Sequence, residues 1–198
     1  PELFDALQYH EFGKPGDVLK LEKKSLTTCQ KGEVVIQMQA AALHPSDIGL
    51  INGSYGELRE LPAVAGREGV GTVYSVGEGV DEKLLGRPVA LPFSGGSWQE
   101  FIKEQADHII LLPSLIPLDQ LAISILNPMT AWRLLNDYEY LKPDDFIIQN
   151  AGNSAVGLSI IQFAEKLGVR CISLVRSENA KQKVLSFCKT DVFLDKDE

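Results

Sequence analysis

Short apolar segments separated by glycine and proline fill the first hundred residues. Five of these segments are rich in strand-forming residues and lie between turn signals. They are Ala6–Phe12, Glu33–Ala42, Gly69–Val76, Arg87–Pro92 and Trp98–Lys103. Apolar and polar residues alternate toward the end of the second and third segments, which is typical of half-buried strands. Nothing here supplies the long helices of a βαβ unit, so we predict a small, irregular β-barrel.

The pattern changes near Leu118. Asp119 is a candidate cap for a helix over Leu121–Leu126, and Pro128 with Thr130 opens a second helix over Ala131–Tyr138. Strands and helices then alternate: Asp145–Asn150, Val156–Leu167 (ended by Gly168), Arg170–Val175, Glu178–Phe187 and Asp191–Leu194. Short connections between them predict a parallel sheet with right-handed crossovers.

Three strands make half of a doubly wound domain, so we expect an incomplete sheet and a longer parent protein. We place the barrel domain at residues 1–122 and the parallel-sheet domain at 123–198. The chain begins with Pro1 and not with Met, as a fragment or a protein with a removed transit peptide would.

Charge and cysteine content argue against several classes of function. With a net charge of −8, the chain lacks the cationic surface that nucleic acids and anionic membranes require, so we expect neither as a partner. No apolar run approaches the ~20 residues of a membrane span. The three cysteines are scattered without a Cys-x-x-Cys pair, which predicts reduced thiols inside a cell and no disulfide framework.

The segment Asn150–Gly157 lies between a predicted buried strand and a predicted helix. Small residues there would let the backbone approach a pyrophosphate, and the helix N-terminus would present free N–H groups to it. We therefore predict that a dinucleotide binds at this loop, on Asn153, Ser154, Ala155, Val156 and Gly157. The alternative is an ordinary strand-to-helix turn.

The residues after the next strand select the cofactor. An acidic residue there binds the ribose hydroxyls of NAD, whereas an arginine accommodates the 2′-phosphate of NADP. This chain has Arg176, Ser177 and Glu178, a fork-shaped cation followed by a hydroxyl. We therefore predict NADPH as the cofactor. The alternative for Arg176 is a solvated surface side chain.

Four ordered motifs resemble those of the medium-chain dehydrogenase/reductases, and the resemblance extends over essentially all 198 residues. The motifs are Leu43–Asp47, Gly66–Gly71, Asn127–Trp132 and Gln149–Gly157. The resemblance implies a GroES-like β-barrel followed by a Rossmann domain, with the active site in the cleft between them.

The alcohol dehydrogenases of this superfamily use catalytic zinc. Their first Cys ligand falls on His44 here, and the His of their Gly-His-Glu motif is replaced by Arg67. Because a guanidinium neither ligates nor attracts a metal ion, we expect no metal. Arg67 and Glu68 are then expected to pair and to brace the barrel.

Among zinc-free members, the 2-enoyl thioester reductases are most similar. Their Asn-Ala-x-Asn-Ser-x-Val-Gly loop resembles Asn150–Gly157, and their Gly-x-Tyr-Gly segment resembles Gly53–Gly56. The resemblance makes Tyr55 the candidate proton donor, with a surface turn as the alternative. It places Asn127 and Thr130 near the nicotinamide and ribose; otherwise they are a helix cap and a helix-start hydroxyl. Trp98 is expected in the barrel core.

The implied activity is NADPH-dependent reduction of the C2=C3 bond of 2-enoyl thioesters in fatty acid synthesis. The substrate would be carried by CoA or an acyl carrier protein, and the full-length protein would be a homodimer. A quinone or alkenal reductase is one alternative, and a non-catalytic NADPH-binding or structural protein is another. We expect a bacterial cytoplasm, with the mitochondrial matrix as the alternative.

Overall fold

A computed structural model of the chain describes residues 3–90 and 95–195. The chain divides into two compact units, Pro1–Ile123 and Ser124–Glu198. The division falls one residue after the boundary expected from the sequence. Leu91 and Pro92, at the end of one predicted strand, lie outside the described residues.

The first unit is mainly β-structure. A three-stranded sheet has the order β2-β1-β4, and a five-stranded sheet has the order β7-β3-β5-β6-β8. The elements are β1 (Leu3–Tyr9), α1 (Pro15–Val18), β2 (Lys20–Ser25), β3 (Glu33–Ala41), α2 (Pro45–Asn52), β4 (Ala63–Val64), β5 (Gly69–Val76), β6 (Pro88–Ala90), β7 (Phe101–Gln105), β8 (Ile110–Leu111) and α3 (Leu118–Leu121), with a 3-10 turn at Glu82–Leu84.

Branched apolar side chains hold this unit together. The central cluster consists of Val34, Ile36, Val73, Val89 and Ile102, contributed by the five-stranded sheet. A second cluster is formed around Tyr9 and Ile51, and the Trp98 ring packs against it. The indole N–H of Trp98 also donates to the Ala42 carbonyl at 3.0 Å. Trp98 therefore belongs to the barrel core, as the sequence predicted.

The second unit is a parallel sheet of order β11-β10-β9 with helices. Its elements are α4 (Leu126–Asn136), β9 (Phe146–Gln149), α5 (Ala155–Leu167), β10 (Arg170–Val175), α6 (Glu178–Phe187) and β11 (Asp191–Leu194). Apolar side chains of α5, β10 and α6 form one core, in which Ala164 and Val184 are fully buried. The predicted parallel sheet and its alternating order of strands and helices are confirmed.

Two helices begin earlier than the sequence predicted. The predicted Leu121–Leu126 helix is wrong: α3 follows Pro117, and Asp119 lies inside it. The carboxylate of Asp119 accepts the Gln120 N–H at 3.0 Å. Helix α4 starts at Leu126 and includes Pro128 in its first turn. Proline is tolerated there because first-turn N–H groups have no intrahelical partner.

Within the described residues, none of the helices combines the length and the apolar character that crossing a membrane would require.

Candidate active site

Tyr55 lies just beyond the C-terminus of α2. This helix ends at Gly53, whose φ of 76° is the left-handed conformation that glycine adopts at little cost. The chain then turns back so that Tyr55 packs on the helix: a Cβ added to Gly49 would lie 2.6 Å from the Tyr55 Cβ. Glycine at position 49 therefore permits the close approach of Tyr55 to α2.

A cavity of about 650 Å³ opens beside Tyr55. Its apolar lining includes Leu50, Leu58, Pro62 and Ala63, and its charged lining is Glu57, Arg59, Glu60 and Arg67. The Tyr55 side chain is 49% exposed. A half-exposed phenol at the wall of a mixed polar and apolar cavity is suited to meet a small organic substrate.

Two arginines shape this cavity. The Arg67 guanidinium carbon lies 5.8 Å from the centroid of the Tyr55 ring, within cation–π range. Arg59 donates to the Gly66 carbonyl at 2.7 Å and to the Val64 carbonyl. Burial lowers the pKa of the Arg59 guanidinium from its ordinary value. Arg59 thus fixes the backbone next to Arg67.

A buried polar cluster includes His44, at the position of the superfamily's first zinc ligand. His44 Nε2 and Glu68 Oε2 are 2.7 Å apart, and both side chains are buried. The Asp47 carboxylate accepts the His44 backbone N–H at 2.6 Å. Across residues 3–90 and 95–195, no group of three or more His, Cys, Asp or Glu residues is arranged to hold a metal ion. The zinc-free site remains a prediction.

The predicted phosphate loop connects β9 to α5. The Ser154 hydroxyl caps α5 by accepting the Gly157 N–H at 3.0 Å. A Cβ at Gly157 would lie 2.7 Å from the Ala151 carbonyl oxygen and 2.8 Å from that of Gly152. Ala151 has a φ of 48°, rare for a residue with a side chain. The loop is therefore a tight turn whose compactness depends on glycine at position 157.

Side-chain hydrogen bonds join this loop to β10. The Gln149 amide donates to the Gly157 carbonyl at 3.1 Å and to the Ser173 hydroxyl at 3.0 Å. The Gly152 N–H donates to the Leu174 carbonyl at 3.2 Å. Arg176 follows two residues after Leu174 and is exposed. The structure thus brings the loop after β9 to the C-terminal end of β10, immediately before Arg176.

Ser177 and Glu178 have structural partners of their own. The Ser177 hydroxyl caps α6 by accepting the Ala180 N–H at 3.2 Å. The Glu178 carboxylate accepts from the Gln182 amide at 2.8 Å. The start of α6 therefore lies beside Arg176 with its cap already formed.

Asn127 and Thr130 lie on the first turns of α4. The Thr130 hydroxyl donates to the Leu126 carbonyl at 2.8 Å. The N-cap of α4 is Ile125, so the alternative interpretation of Asn127 as a helix cap is wrong. Their proposed contact with the nicotinamide and ribose stays a prediction.

Three features of these sites were missed by sequence reasoning. The first is the Gln149 bridge, for which a polar residue at the end of a strand was the available signal; that strand was predicted to be buried, whereas Phe146 and Ile148 are exposed. The second is the contact of Gly49 with Tyr55, and the third is the position of Arg67 over the Tyr55 ring. No local pattern predicts these two contacts, since they depend on how the chain folds back after α2.

Known proteins share this fold. Residues 30–114 match the alcohol dehydrogenase GroES-like domain. The mitochondrial enoyl-[acyl-carrier-protein] reductase of Homo sapiens is 42% identical over 185 residues, which are 93% of this chain and 50% of that protein. This chain thus spans about half the length of the curated relatives that it matches.

Solved structures of reductases have a similar fold. A putative NADPH:quinone reductase from Bacillus thuringiensis has a TM-score of 0.88 and 32% identity, covering 96% of this chain and 58% of that one. The Etr1p/NADP/crotonyl-CoA complex has a TM-score of 0.88 and 26% identity, covering 98% of this chain and 61% of that one.

The fold class that these similarities define is a GroES-like β-domain followed by a Rossmann-like parallel sheet, as expected from the sequence. The chain is therefore similar in sequence and in fold to the enoyl reductases of the medium-chain dehydrogenase/reductase superfamily.

Proposed function

We propose that this chain serves the NADPH-dependent reduction of the C2=C3 double bond of 2-enoyl thioesters. The observation that carries the proposal is Tyr55 at the wall of a cavity, in a chain 42% identical to an enoyl-[acyl-carrier-protein] reductase. The apolar side of the cavity, formed by Leu50, Leu58 and Pro62, suits the acyl group.

The residues of the second unit fit a dinucleotide phosphate. A Cβ at Gly157 would be 2.7 Å from a loop carbonyl oxygen, so only glycine leaves this turn its compact form. The Gly157 N–H is bonded to the Ser154 hydroxyl, and the other first-turn N–H groups of α5, which have no intrahelical carbonyl to donate to, attract an anion. Asn153–Gly157 would hold the pyrophosphate, and Arg176 would meet the 2′-phosphate, with Ser177 and Glu178 beside it. When bound, NADPH supplies a hydride.

Tyr55 supplies the proton in this proposal. As C3 of the substrate is reduced, negative charge develops on the thioester oxygen, and a hydrogen-bond donor there stabilises it. The Tyr55 O–H bond then breaks as a new C–H bond forms at C2, and water returns a proton to the phenolate. The product is the saturated thioester. General acid catalysis of this kind is typically worth ~10²–10⁴ in rate.

Replacing Tyr55 tests this step. Tyr55→Phe in the complete protein should lower the crotonyl-CoA turnover at least about ten-fold, because the proton donor is lost while the ring remains. NADPH binding, followed by fluorescence, should be unchanged, since no part of the phosphate loop is altered. Unchanged turnover would show that another group or water provides the proton.

A quinone reductase is the second candidate. Its support is the 32% identity to the protein from Bacillus thuringiensis named an NADPH:quinone reductase. Comparing NADPH oxidation with crotonyl-CoA and with a small quinone separates the two. No oxidation with either acceptor, despite NADPH binding, would favour a non-catalytic binding protein.

We extend the proposal to partners and location. The Etr1p complex contains crotonyl-CoA, and an Etr1p/Etr2p structure from Candida tropicalis is a heterodimer. A CoA or acyl-carrier-protein thioester and a dimeric complete protein are consistent with these relatives. Their mitochondrial names favour the mitochondrial matrix over the bacterial cytoplasm that we expected first.

A further inference from the structure

Resting on the proposed function, we infer that Arg67 is a positioning residue for Tyr55. In the zinc-dependent members of the superfamily, the position of Arg67 is that of a histidine that binds zinc. The structure gives the arginine at this position a task of its own.

The first argument is the geometry around the phenol. The Arg67 guanidinium lies 5.8 Å from the Tyr55 ring centroid, and both side chains line the same cavity. The Cβ of Tyr55 packs against α2 at Gly49, and the Arg67 guanidinium lies over the Tyr55 ring. Two contacts from different segments define the ring orientation better than one, because a half-exposed tyrosine otherwise samples several rotamers.

The second argument is the charge behind Arg67. Asp47 is 1% exposed, and among the described residues its Oδ1 atom is one of three buried side-chain polar atoms without a hydrogen-bond partner. Its other oxygen accepts the His44 N–H. Asp47 attracts both Arg67 and Arg59 electrostatically. The two arginines of the cavity therefore have a buried electrostatic partner at the start of α2.

Other charges surround the cavity without taking this role. Glu57 and Glu60 line it, and Arg59 is engaged with the Val64 and Gly66 carbonyls. Of the charged side chains lining this cavity, Arg67 is the one described over the Tyr55 ring.

Substitution of Arg67 tests the inference in the complete protein. With NADPH and crotonyl-CoA, Arg67→Gln should lower kcat by about three- to ten-fold, the worth of a cation–π contact at a half-exposed ring, and leave KM for NADPH unchanged. Arg67→Lys keeps a cation and should recover most of kcat. Arg87→Gln, the same change at an exposed arginine of the barrel unit, is the control and should match the parent.

A double-mutant cycle separates positioning from general damage. If Arg67 acts through the Tyr55 hydroxyl, Arg67→Gln should have no further effect on kcat in a Tyr55→Phe background. Equal loss in both backgrounds, or equal loss in the Lys and Gln variants, would overturn the inference. Thermal unfolding of each variant identifies loss of folding, and in that case Arg67→Lys carries the test.

Different results would contradict the positioning role of Arg67 and the proposed function. If Tyr55→Phe lowers turnover but Arg67→Gln does not, the positioning inference is wrong and the proposed function stands. If Tyr55→Phe itself has no effect on turnover, the proposed proton donor is wrong and the positioning inference falls with it.

Discussion

Replacing Gly49 with alanine changes the position of Tyr55 while leaving the tyrosine side chain itself intact. The new Cβ would lie 2.6 Å from the Tyr55 Cβ, about 0.8 Å short of an ordinary contact distance of 3.4 Å. Gly49 is inside α2, where alanine is favoured over glycine by about 1 kcal/mol. Overpacking costs about 1–3 kcal/mol when the surroundings are rigid. Because the backbone sets the position of the Tyr55 Cβ, the turn after α2 must shift as a whole, and we expect the free energy of unfolding to fall by up to about 2 kcal/mol.

Activity should fall as well, because the shift of the turn displaces the Tyr55 hydroxyl. A displacement near 1 Å of a positioned catalytic group is worth up to about 10²-fold in rate. We therefore expect Gly49→Ala to lower kcat for crotonyl-CoA by about ten- to hundred-fold, with KM for NADPH unchanged. The assay is steady-state NADPH oxidation in the complete protein, with chemical unfolding measured in parallel.

Gly16→Ala is the matched control, because a Cβ at Gly16 would meet nothing within 4 Å. It should leave both kcat and stability near their parent values. If Gly49→Ala keeps full turnover, either α2 does not hold Tyr55 in place or Tyr55 is not the proton donor. Turnover of the Tyr55→Phe variant then decides between these two explanations.

Three further predictions concern the cofactor loop and the buried carboxylate. Arg176→Gln should weaken NADPH binding about ten- to hundred-fold by fluorescence titration and leave NADH binding unchanged, since one charge-assisted contact is worth about 1.5–3 kcal/mol; equal loss for both cofactors would contradict this. Gly157→Ala should lower the free energy of unfolding by about 1–3 kcal/mol and weaken NADPH binding, because its Cβ would meet the Ala151 carbonyl oxygen at 2.7 Å; an unchanged melting temperature would refute it. Burial raises the pKa of Asp47 above its ordinary 3.8, so its contribution to stability is full below that value and is lost as pH rises through the folded-state pKa. Asp47→Asn should therefore gain stability relative to the parent as pH rises above 3.8, and parallel unfolding curves would contradict the assignment.

The second unit was largely predictable from sequence. Strand β10, helix α6 and strand β11 have the predicted bounds, and α5 begins one residue early. Their apolar periodicity is strong, and Gly168 ends α5 in the left-handed conformation with a φ of 72°. The local start and stop signals agree here with the packing of the core, so the apolar periodicity was sufficient to predict these elements.

The barrel unit was less predictable. Strand β2 was missed because its sequence is mostly charged: it is stabilised by antiparallel pairing with β1, and its Leu21 is 68% exposed. Strand β1 lies at Leu3–Tyr9, three residues before the predicted start, since the pairing partner sets the strand's limits. Helix α2 was also missed, although His44 and Asp47 supply a local start signal.

One part of the candidate site was predictable from sequence and the other was not. The loop around Ser154 and the cation at Arg176 follow from local sequence order, because both come directly after strands of one parallel sheet. The environment of Tyr55 does not, because Arg67 reaches the tyrosine ring only through the folding of separate segments.

Isotope incorporation from solvent tests enoyl thioester reduction most directly. The complete protein is incubated with NADPH and crotonyl-CoA in D₂O, and the saturated product is examined by mass spectrometry and NMR. We expect NADPH oxidation to match formation of butyryl-CoA carrying one deuterium at C2, since the exchangeable Tyr55 proton goes to that carbon. NADPH oxidation with a quinone but not with crotonyl-CoA, or a product without deuterium at C2, would contradict the proposed reaction.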